Sequence, residues 1–426
     1  MNEIRKALDY STLVLALLSI AVGGFAGLAG ASFLLLLRGA DACRLYLVAR
    51  AHSLGWLGLV LVVCSIGFVA ALAAWLVFRF APQSVGSGIP QIERELRVGS
   101  SGNPLSTVIV KFIGGILSIG GGLALGREGP TVQMGGCIGD LIGRAFQRNA
   151  KECRVLLAAG AGAGLAAAFN APIAGAVFIL EELVGSFEIP VIITSLGASA
   201  AAILVSGVFL GQSPDFHVPA IGFLNFWVLP VSLLLGVVIG LLGVAYNHSI
   251  VATLNLSRRF SKFHGTLRAA SIGAVVGLLG WFAPALIGGG DSLTQRTLDG
   301  NLLLTTLAPA LVLRFLLGPA SYAARTPGGL FAPMLTVGAQ AGLLFFMFWS
   351  RLVPSTGALS QEFTILGMAA FFSSVVRAPI TGIILIVELT GSFTLFLPML
   401  GATFAAVTTA SLLRSTPIYD SLRDVH

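Results

Sequence analysis

Charged residues are scarce in this 426-residue chain, where Asp, Glu, Lys and Arg together make up 10% of the sequence. A soluble domain has about 25% charged residues, so this chain is too poor in charge to cover a water-facing surface. Cysteine is also scarce, and the four that occur show no CxxC spacing: Cys43, Cys64, Cys137 and Cys153. These shortages exclude a soluble enzyme, a nucleic-acid binder and a secreted disulfide scaffold.

Motifs that would mark an energy source or a catalytic centre are missing as well. The sequence contains no GxxxxGK[ST] stretch, so no ATP-binding loop is predicted. The five histidines are scattered and form neither HExxH nor a Cys/His metal spacing: His52, His217, His248, His264 and His426. We therefore predict no cofactor and no metal. A membrane-embedded enzyme is disfavoured because no nucleophile–base constellation is apparent.

The chain is instead rich in long apolar runs. Hydrophobic residues make up 56% of it and its mean hydropathy is +0.93. About 20 apolar residues span a bilayer core, and six runs are nearly free of charge: 11–37, 55–77, 105–125, 155–180, 219–246 and 302–318. The first run is longer than the apolar core of a signal peptide, which has about 7–15 residues, so we interpret it as a retained helix. The sequence predicts an all-α polytopic membrane protein with the lipid bilayer as its partner.

The net charge of +7 is explained by topology. Many basic residues lie in two short polar stretches: Arg144, Arg148, Lys151 and Arg154, then Arg258, Arg259, Lys262 and Arg268. Loops rich in Lys and Arg stay on the cytoplasmic side of a membrane, so we predict that both stretches are cytoplasmic. The basic charge therefore indicates no nucleic-acid partner.

An internal repeat is visible in the sequence. APIAG at 171–175 recurs as APITG at 378–382, 207 positions later, and each copy opens an apolar run. Each run reaches a glutamate ten residues after its first alanine, at Glu181 and Glu388. A second pair agrees in order and nearly in offset, because GREGP at 126–130 matches GLFAP at 329–333 as G-x-x-x-P, 203 positions apart.

The repeat divides the chain into halves of 1–215 and 216–426, joined through the polar stretch 211–219. Glycine is abundant, with 53 residues, and it permits close helix packing and helix breaks. Duplicated halves with matching glycine- and proline-broken segments are typical of transporters that bind their substrate at the repeat interface. Without an ATP-binding loop, transport would be passive or driven by a second ion.

Three glycine–proline motifs predict helix starts: GSGIP at 86–90, GREGP at 126–130 and GGLFAP at 328–333. A helix N-terminus offers free N–H donors and about half a positive charge. Three such ends converging inside the protein would bind an anion without a buried Arg or Lys. The alternative is that each motif is an ordinary helix cap at the membrane surface. The duplicated frame favours the shared anion site.

Glu128, within the second motif, is the most informative single residue. A carboxylate at a helix N-terminus can itself occupy an anion site, and burial disfavours the charged form of any carboxyl group. Protonation would let Glu128 leave the site and admit an anion, which would couple anion movement to a proton. The alternative role is stabilisation of the helix dipole, worth about 0.3–1 kcal/mol. Ionisable groups inside membrane segments are usually functional.

Other charged residues leave alternatives open. Glu181 and Glu182 are neighbours and do not face the same way on a helix, so one is a candidate proton relay and the other a candidate partner of a cation or interface residue. A solvated helix end would explain both equally well. Lys111 needs a partner if it is buried, and Glu93 is a candidate for a structural ion pair. Arg127 and Arg314 are candidates for similar structural ion pairs. Glu388 is interpreted as structural, either as a helix cap or in an interhelical hydrogen bond.

The ordered set of motifs resembles the CLC family of chloride channels and chloride–proton exchangers. The resemblance covers almost the entire chain and rests on GSGIP, GREGP, GGLFAP, FNAPIAGAVFILEE at 169–182, RAPITGIILIVELT at 377–390 and the tyrosine of TPIYD near the end. It implies two inverted-topology repeats of tilted and broken helices. It also implies a homodimer with one pathway in each subunit.

The resemblance also implies roles for individual residues. Ser87 and Tyr419 would donate hydroxyl hydrogen bonds to a central chloride, and the backbone N–H groups of Leu330 and Phe331 would face it. Glu128 would be the external gating glutamate that competes with chloride and carries the proton. The internal proton acceptor found in exchangers would be Glu182.

Within the family, Ser87 resembles chloride-selective members, and Glu182 resembles exchangers rather than channels. We therefore expect a secondary active antiporter that exchanges chloride for protons, with a passive chloride channel on the same scaffold as the alternative. The chain ends seven residues after Tyr419, so we expect no cytoplasmic regulatory domain. A short chain of this kind resembles prokaryotic members, which implies a multi-pass protein of the cell (inner) membrane.

Overall fold

The computed structural model describes residues 10–99, 102–211, 213–219, 221–222, 227–259, 265–300, 302–353 and 359–425. Lys262, His264 and His426, and the side chain of Arg259, lie outside what is described. Within the described residues the chain forms 17 α-helices and no β-strand, apart from two isolated β-bridges. The prediction of an all-α protein is confirmed.

The helices are numbered in chain order as α1 (Tyr10–Ala51), α2 (Trp56–Phe80), α3 (Ile89–Val98), α4 (Pro104–Gly120), α5 (Glu128–Ala145), α6 (Ala150–Phe169), α7 (Pro172–Phe178), α8 (Ile189–Leu210), α9 (Val228–Arg259), α10 (Gly265–Phe282), α11 (Asp291–Leu298), α12 (Leu304–Tyr322), α13 (Phe331–Leu352), α14 (Ser360–Val376), α15 (Pro379–Thr390), α16 (Phe396–Leu412) and α17 (Ile418–Val425). A π-helical turn, Ile179–Leu183, continues α7.

Nine helices in the described part of the chain are long and apolar enough to cross a membrane. The fold is therefore that of a multi-pass membrane protein. Others are much shorter, including α3 with 10 residues and α11 with 8. Such short helices cannot span the bilayer, since each residue adds about 1.5 Å of length. They are broken segments of the kind that the glycine and proline pattern predicts.

The predicted helix starts are confirmed. Helices α7 and α15 begin at Pro172 and Pro379, and α5 and α13 begin within their motifs at Glu128 and Phe331. The predicted apolar run 155–180 is divided between α6 and α7. The break occurs where Asn170 adopts a left-handed conformation with φ of 50°.

The first motif also opens a helix, but a short one. GSGIP opens α3, whose sequence IPQIERELRV is polar, and the apolar run that follows belongs to the separate helix α4. The two helices are separated because Gly99 ends α3 with a positive φ of 100°. Asn103 then caps α4 by accepting hydrogen bonds from the N–H groups of Leu105 and Ser106.

Helices α7 and α15, which carry the APIAG and APITG motifs, cap each other. Glu388 accepts hydrogen bonds from the backbone N–H groups of Ile173 (3.1 Å) and Ala174 (2.7 Å) at the start of α7. Glu181 accepts them from the N–H groups of Ile380 (3.0 Å) and Thr381 (2.7 Å) at the start of α15. The end of each helix therefore lies at the beginning of the other. The helices run antiparallel, as repeats of inverted topology require.

Candidate functional site

The three glycine–proline motifs meet in the interior of the protein. Gly126 and Gly329 form an antiparallel bridge, in which each N–H donates to the other's carbonyl oxygen at 2.8 and 2.7 Å. Gly86 pairs with Pro327 in a parallel bridge, and the Gly328 N–H donates to the Gly86 carbonyl oxygen at 3.0 Å. These contacts join segments that lie far apart in the sequence. The predicted convergence of the three helix starts is confirmed.

Glu128 is completely buried at this meeting point. Its Oε1 accepts a hydrogen bond of 2.7 Å from the backbone N–H of Phe331, the first residue of α13. A Cβ atom at Gly126 or at Gly329 would come within 2.1 Å of a carboxylate oxygen of Glu128, and at Gly329 it would also come within 2.8 Å of the Gly129 backbone nitrogen, so position 329 requires glycine. The carboxylate starts at one helix N-terminus and binds a second one, which is how a bound anion would be held.

Ser87 and Tyr419 bring two hydroxyl groups into the same interior. Both residues are buried, and neither hydroxyl has a hydrogen-bond partner among the described residues. The Ser87 Oγ lies against Gly129, where an added Cβ would be 2.8 Å away. The Tyr419 hydroxyl lies within electrostatic reach of Glu128 and Glu182. Buried hydroxyls normally find partners, so two unpaired donors here suit an anionic ligand.

Leu330 and Phe331 form the start of α13. Leu330 is the N-cap residue of this helix and is fully buried. The ring of Phe331 is enclosed by other aromatic rings, with centroid distances of 6.4 Å to Phe169, 5.5 Å to Phe178, 4.6 Å to Phe372 and 6.1 Å to Tyr419. This packing holds the first turn of α13 in place and keeps its N–H groups inside an apolar wall.

Lys111 does not pair with Glu93, so that expectation is wrong. The fully buried Nζ of Lys111 donates to the carbonyl oxygens of Ser84 (2.9 Å) and Gly86 (2.7 Å), just before α3. Glu93 instead accepts hydrogen bonds from Arg97 and Arg423. Backbone carbonyls are partners that sequence patterns do not mark, because every residue has one. Lys111 therefore holds the loop that carries Ser87.

Glu181 and Glu182 point to different surroundings. The carboxylate of Glu181 caps α15, with a further bond of 2.7 Å from the Thr381 hydroxyl, so the alternative of a solvated helix end is wrong for Glu181. Glu182 lines a cavity of about 440 Å³, with Lys151 and Arg154 on its walls. Both acids lie in the π-helical turn Ile179–Leu183, a feature that often occurs at functional sites.

A second cavity, of about 630 Å³, lies beside Gly126 and Arg127. The guanidinium of Arg127 forms an ion pair with Asp215 and another of 3.2 Å with Asp291, and its centre lies 5.5 Å from the ring centroid of Phe169. Burial raises the pKa of the Asp215 carboxyl, and the charge of Arg127 opposes this shift. Nothing in the sequence identified either aspartate, because their partner is distant in the chain.

Residues 69–411 match the family model described as voltage-gated chloride channel.

The chain belongs to the voltage-gated chloride channel (CLC) family.

Curated relatives and solved structures agree with this membership. The "H(+)/Cl(-) exchange transporter ClcA" of Cronobacter sakazakii is 36% identical over 425 residues, which cover 97% of this chain and 90% of that protein. The protein of the same name from Salmonella typhimurium is 34% identical over 434 residues, covering 99% and 91%. Both names describe exchange transporters rather than enzymes.

Among solved structures, "a slow cyanobacterial Cl-/H+ antiporter" superimposes with a TM-score of 0.93 at 32% identity, covering 98% of both chains. A CLC-type fluoride/proton antiporter superimposes with a TM-score of 0.76 at 21% identity, covering 96% of this chain and 97% of that one, and this likeness bears on the fold alone. The predicted CLC architecture is thereby confirmed.

The structure brings together five of the six residues that the CLC resemblance singled out, namely Ser87, Glu128, Leu330, Phe331 and Tyr419. The sixth, Glu182, lies at the cavity of about 440 Å³. Sequence reasoning missed the phenol of Tyr322, whose oxygen accepts a hydrogen bond of 3.3 Å from the Ser87 N–H. A lone tyrosine in an apolar helix carries no pattern that would have identified it.

Proposed function

We propose that this protein is a secondary active antiporter that exchanges chloride for protons across a membrane. The observation that carries the proposal is the buried carboxylate of Glu128, bound to the Phe331 N–H between the starts of α5 and α13. Within the described residues, this carboxylate is an anion that the chain itself supplies where these two helix starts meet. The names of the ClcA relatives and of the cyanobacterial antiporter support the same function.

Chloride is held by neutral donors. The hydroxyls of Ser87 and Tyr419 donate hydrogen bonds to it, and the N–H groups of Leu330 and Phe331 add the positive end of the α13 dipole. Bound in this way, chloride keeps its charge compensated without a cation that would trap it. Support for this set comes from the burial of both hydroxyls and from their lack of other partners among the described residues.

Glu128 acts as the gate. As a carboxylate it accepts the hydrogen bond from Phe331 and competes with chloride for the start of α13. Once protonated it is no longer an anion, so its attraction to the two helix N-termini falls and its side chain can leave. Chloride then takes the place that the carboxylate held. When chloride departs, Glu128 loses its proton and its ionised side chain returns to the start of α13. Each cycle therefore moves chloride and a proton in opposite directions.

Glu182 receives protons on the cytoplasmic side of the anion site. It lines the cavity of about 440 Å³ together with Lys151 and Arg154, which belong to the basic stretch predicted to be cytoplasmic. The cavity beside Arg127 then faces the other side of the membrane. A proton passes between Glu182 and Glu128, and the Tyr419 hydroxyl lies within electrostatic reach of both.

We also propose that the protein works in the cell (inner) membrane as a homodimer with one pathway in each subunit, and that its repeats divide at residues 215 and 216. The first two points rest on the resemblance to prokaryotic CLC proteins. Light scattering of the purified protein would test the dimer, for which a mass near twice 44.0 kDa is expected after correction for bound detergent. A monomeric mass would contradict it.

The central experiment uses purified protein in liposomes with a chloride gradient and no proton gradient. A potassium ionophore sets the voltage while the external pH is recorded. For an antiporter, chloride flow drives protons the opposite way and builds a pH difference. Chloride movement without any pH change would establish the passive channel instead, and Glu182 would then be an acid at a helix end.

A further inference from the structure

The Tyr419 side chain depends on the placement of its whole helix. Its hydroxyl has no hydrogen-bond partner among the described residues and has the Ser87 side chain as a polar neighbour, so its position depends on the backbone that carries it. Tyr419 belongs to α17, a helix of 8 residues. Ile418, Tyr419 and Leu422 are buried, so one face of α17 packs onto the protein. Apolar packing alone resists sliding poorly, because it is not directional.

Hydrogen bonds from Asn247 to the Thr416 carbonyl oxygen and from Arg377 to the Ser415 carbonyl oxygen anchor the segment before α17, and Arg423 supplies a directional contact from α17 itself. It lies four residues after Tyr419, which places both side chains on the same side of α17. Its guanidinium donates a hydrogen bond of 2.5 Å to Oε1 of Glu93 in α3. The side chain of Glu93 is only 6% exposed, whereas that of Arg423 is 33% exposed. An ion pair with one buried partner is less screened by water than a surface pair.

Glu93 connects this contact to the anion site. It lies on α3, the helix that begins immediately after Ser87 and Gly88. The Glu93–Arg423 contact therefore joins the helix that follows the Ser87 hydroxyl to the helix that carries the Tyr419 hydroxyl. Both hydroxyls belong to the proposed chloride ligands, and the distance between them decides whether one ion can meet both.

We propose that Glu93 and Arg423 form a brace that positions the Tyr419 hydroxyl opposite Ser87, so that both residues are positioning residues of the anion site. This proposal rests on the proposed function. The pair touches neither Glu128 nor the start of α13, and it acts only through the placement of α17. The sequence interval of 330 residues between the partners hid the contact from any local pattern.

Other charges surround the brace and must be separated from it. Arg97, on the same helix as Glu93, donates to the same Oε1 at 2.7 Å, but its side chain is 64% exposed. On α17, Asp420 pairs with Arg423 at 3.2 Å. From the π-helical turn, Glu182 lies within electrostatic reach of Glu93 and Asp420. Arg97→Gln is therefore the matched control, because it removes one cation from the same carboxylate without loosening α17.

The test is calorimetric titration of chloride into the purified protein. Arg423→Gln is expected to weaken chloride binding about threefold to tenfold, in the range of coupling between contacting residues. Arg97→Gln should bind chloride as the unchanged protein does. In a Tyr419→Phe background, Arg423→Gln should have no further effect, because the hydroxyl that the brace positions is gone.

Several results would overturn the brace. One is unchanged chloride binding in Arg423→Gln, and another is an undiminished effect of Arg423→Gln in the Tyr419→Phe background. If Arg423→Gln does not fold, the charge-swapped pair Glu93→Arg with Arg423→Glu is used. Restored folding with restored chloride binding supports the brace, whereas restored folding with weak binding, or failure of both variants to fold, assigns the pair to stability. Failure of the unchanged protein to bind chloride would contradict the proposed function and not the brace.

Discussion

The two repeats build the same scaffold with different side chains. In the first, Lys111 donates to the carbonyl oxygens of Ser84 and Gly86 before α3. In the second, Arg314 donates to the carbonyl oxygens of Leu286 (3.2 Å), Gly288 (2.7 Å) and Gly289 (2.8 Å) before α11. Lys111 and Arg314 lie 203 positions apart, the offset of the GREGP and GLFAP motifs. Each buried cation thus fixes the loop in front of a short helix.

The glycine that opens each short helix is also shared. Gly88 caps α3 with φ of 87°, and Gly290 caps α11 with φ of 103°. Both conformations are left-handed and favour glycine, because a Cβ atom would clash with the backbone. Each repeat also supplies one capping glutamate, because Glu181 caps α15 and Glu388 caps α7.

The residues proposed for transport are not shared. At the offsets of 202, 203 and 207 positions set by the helix starts and motifs, Ser87 corresponds to Gly289, Glu128 to Phe331 and Glu182 to Leu389. The second repeat therefore has no copy of the Ser87 hydroxyl, the Glu128 gate or the Glu182 proton acceptor. The second repeat contributes Leu330, Phe331 and Tyr419 to the proposed site instead, so the two repeats supply different groups on a shared frame.

The strongest test of this asymmetry is Glu128→Ala. We expect chloride transport to continue and proton transport to fall to the level of empty liposomes, because the competing and proton-carrying carboxylate is gone. Chloride efflux and pH are recorded in the same preparation, so the chloride signal controls for folding and insertion. Proton pumping against a gradient in this variant would contradict the role of Glu128.

The neighbouring acids Glu181 and Glu182 allow a matched pair of variants. Glu182→Gln should abolish proton movement while chloride still flows, because an amide cannot carry the proton. Glu181→Gln should keep coupling but lower the free energy of unfolding by about 1–3 kcal/mol, because the ionised cap of α15 is weakened. Flux assays and thermal unfolding measure the two effects. Unchanged coupling in Glu182→Gln would mean that another group receives the proton.

Replacing the two buried cations compares the repeats directly. Lys111→Met and Arg314→Met should each destabilise the protein by about 1–3 kcal/mol, since each removes charge-assisted hydrogen bonds to buried carbonyls. Only Lys111→Met should also weaken chloride binding, because its loop carries Ser87. Thermal unfolding and calorimetric chloride titration are the measurements. Equal loss of chloride binding in both variants would contradict a specific dependence of the anion site on the loop that carries Ser87.

The smallest effect is expected for Gly289→Ser, which gives the second repeat a hydroxyl at the position of Ser87. A Cβ atom there would meet only the Leu125 carbonyl oxygen, at 3.5 Å, so the substitution fits. Stability should change by less than about 0.5 kcal/mol. Chloride affinity and coupling should be unchanged, because no gating acid lies in the equivalent place. A second chloride in calorimetry would show that a hydroxyl beside a helix start is sufficient.

Much of this architecture could be predicted from the sequence. The apolar runs determined the membrane class. The glycine–proline motifs located the starts of α5 and α13, and the APIAG and APITG motifs located those of α7 and α15, because the conformational preferences of glycine and proline are local. The recurrence of APIAG as APITG revealed the repeat frame. GSGIP likewise located the start of α3, and the break at Gly99 separates this short helix from the apolar run that follows.

The sequence by itself thus determined that this chain lies in a membrane, that it is duplicated and which CLC motifs it carries. Only the tertiary structure decided which partner each buried charge has. Glu181 bonds Ile380 across 199 positions, and Glu128 bonds Phe331 across 203. Such contacts depend on how helices pack. Their backbone partners are N–H groups here and carbonyl oxygens for Lys111 and Arg314, and almost every residue has both. Burial then makes the pairing obligatory, because an unpaired polar group away from water is costly.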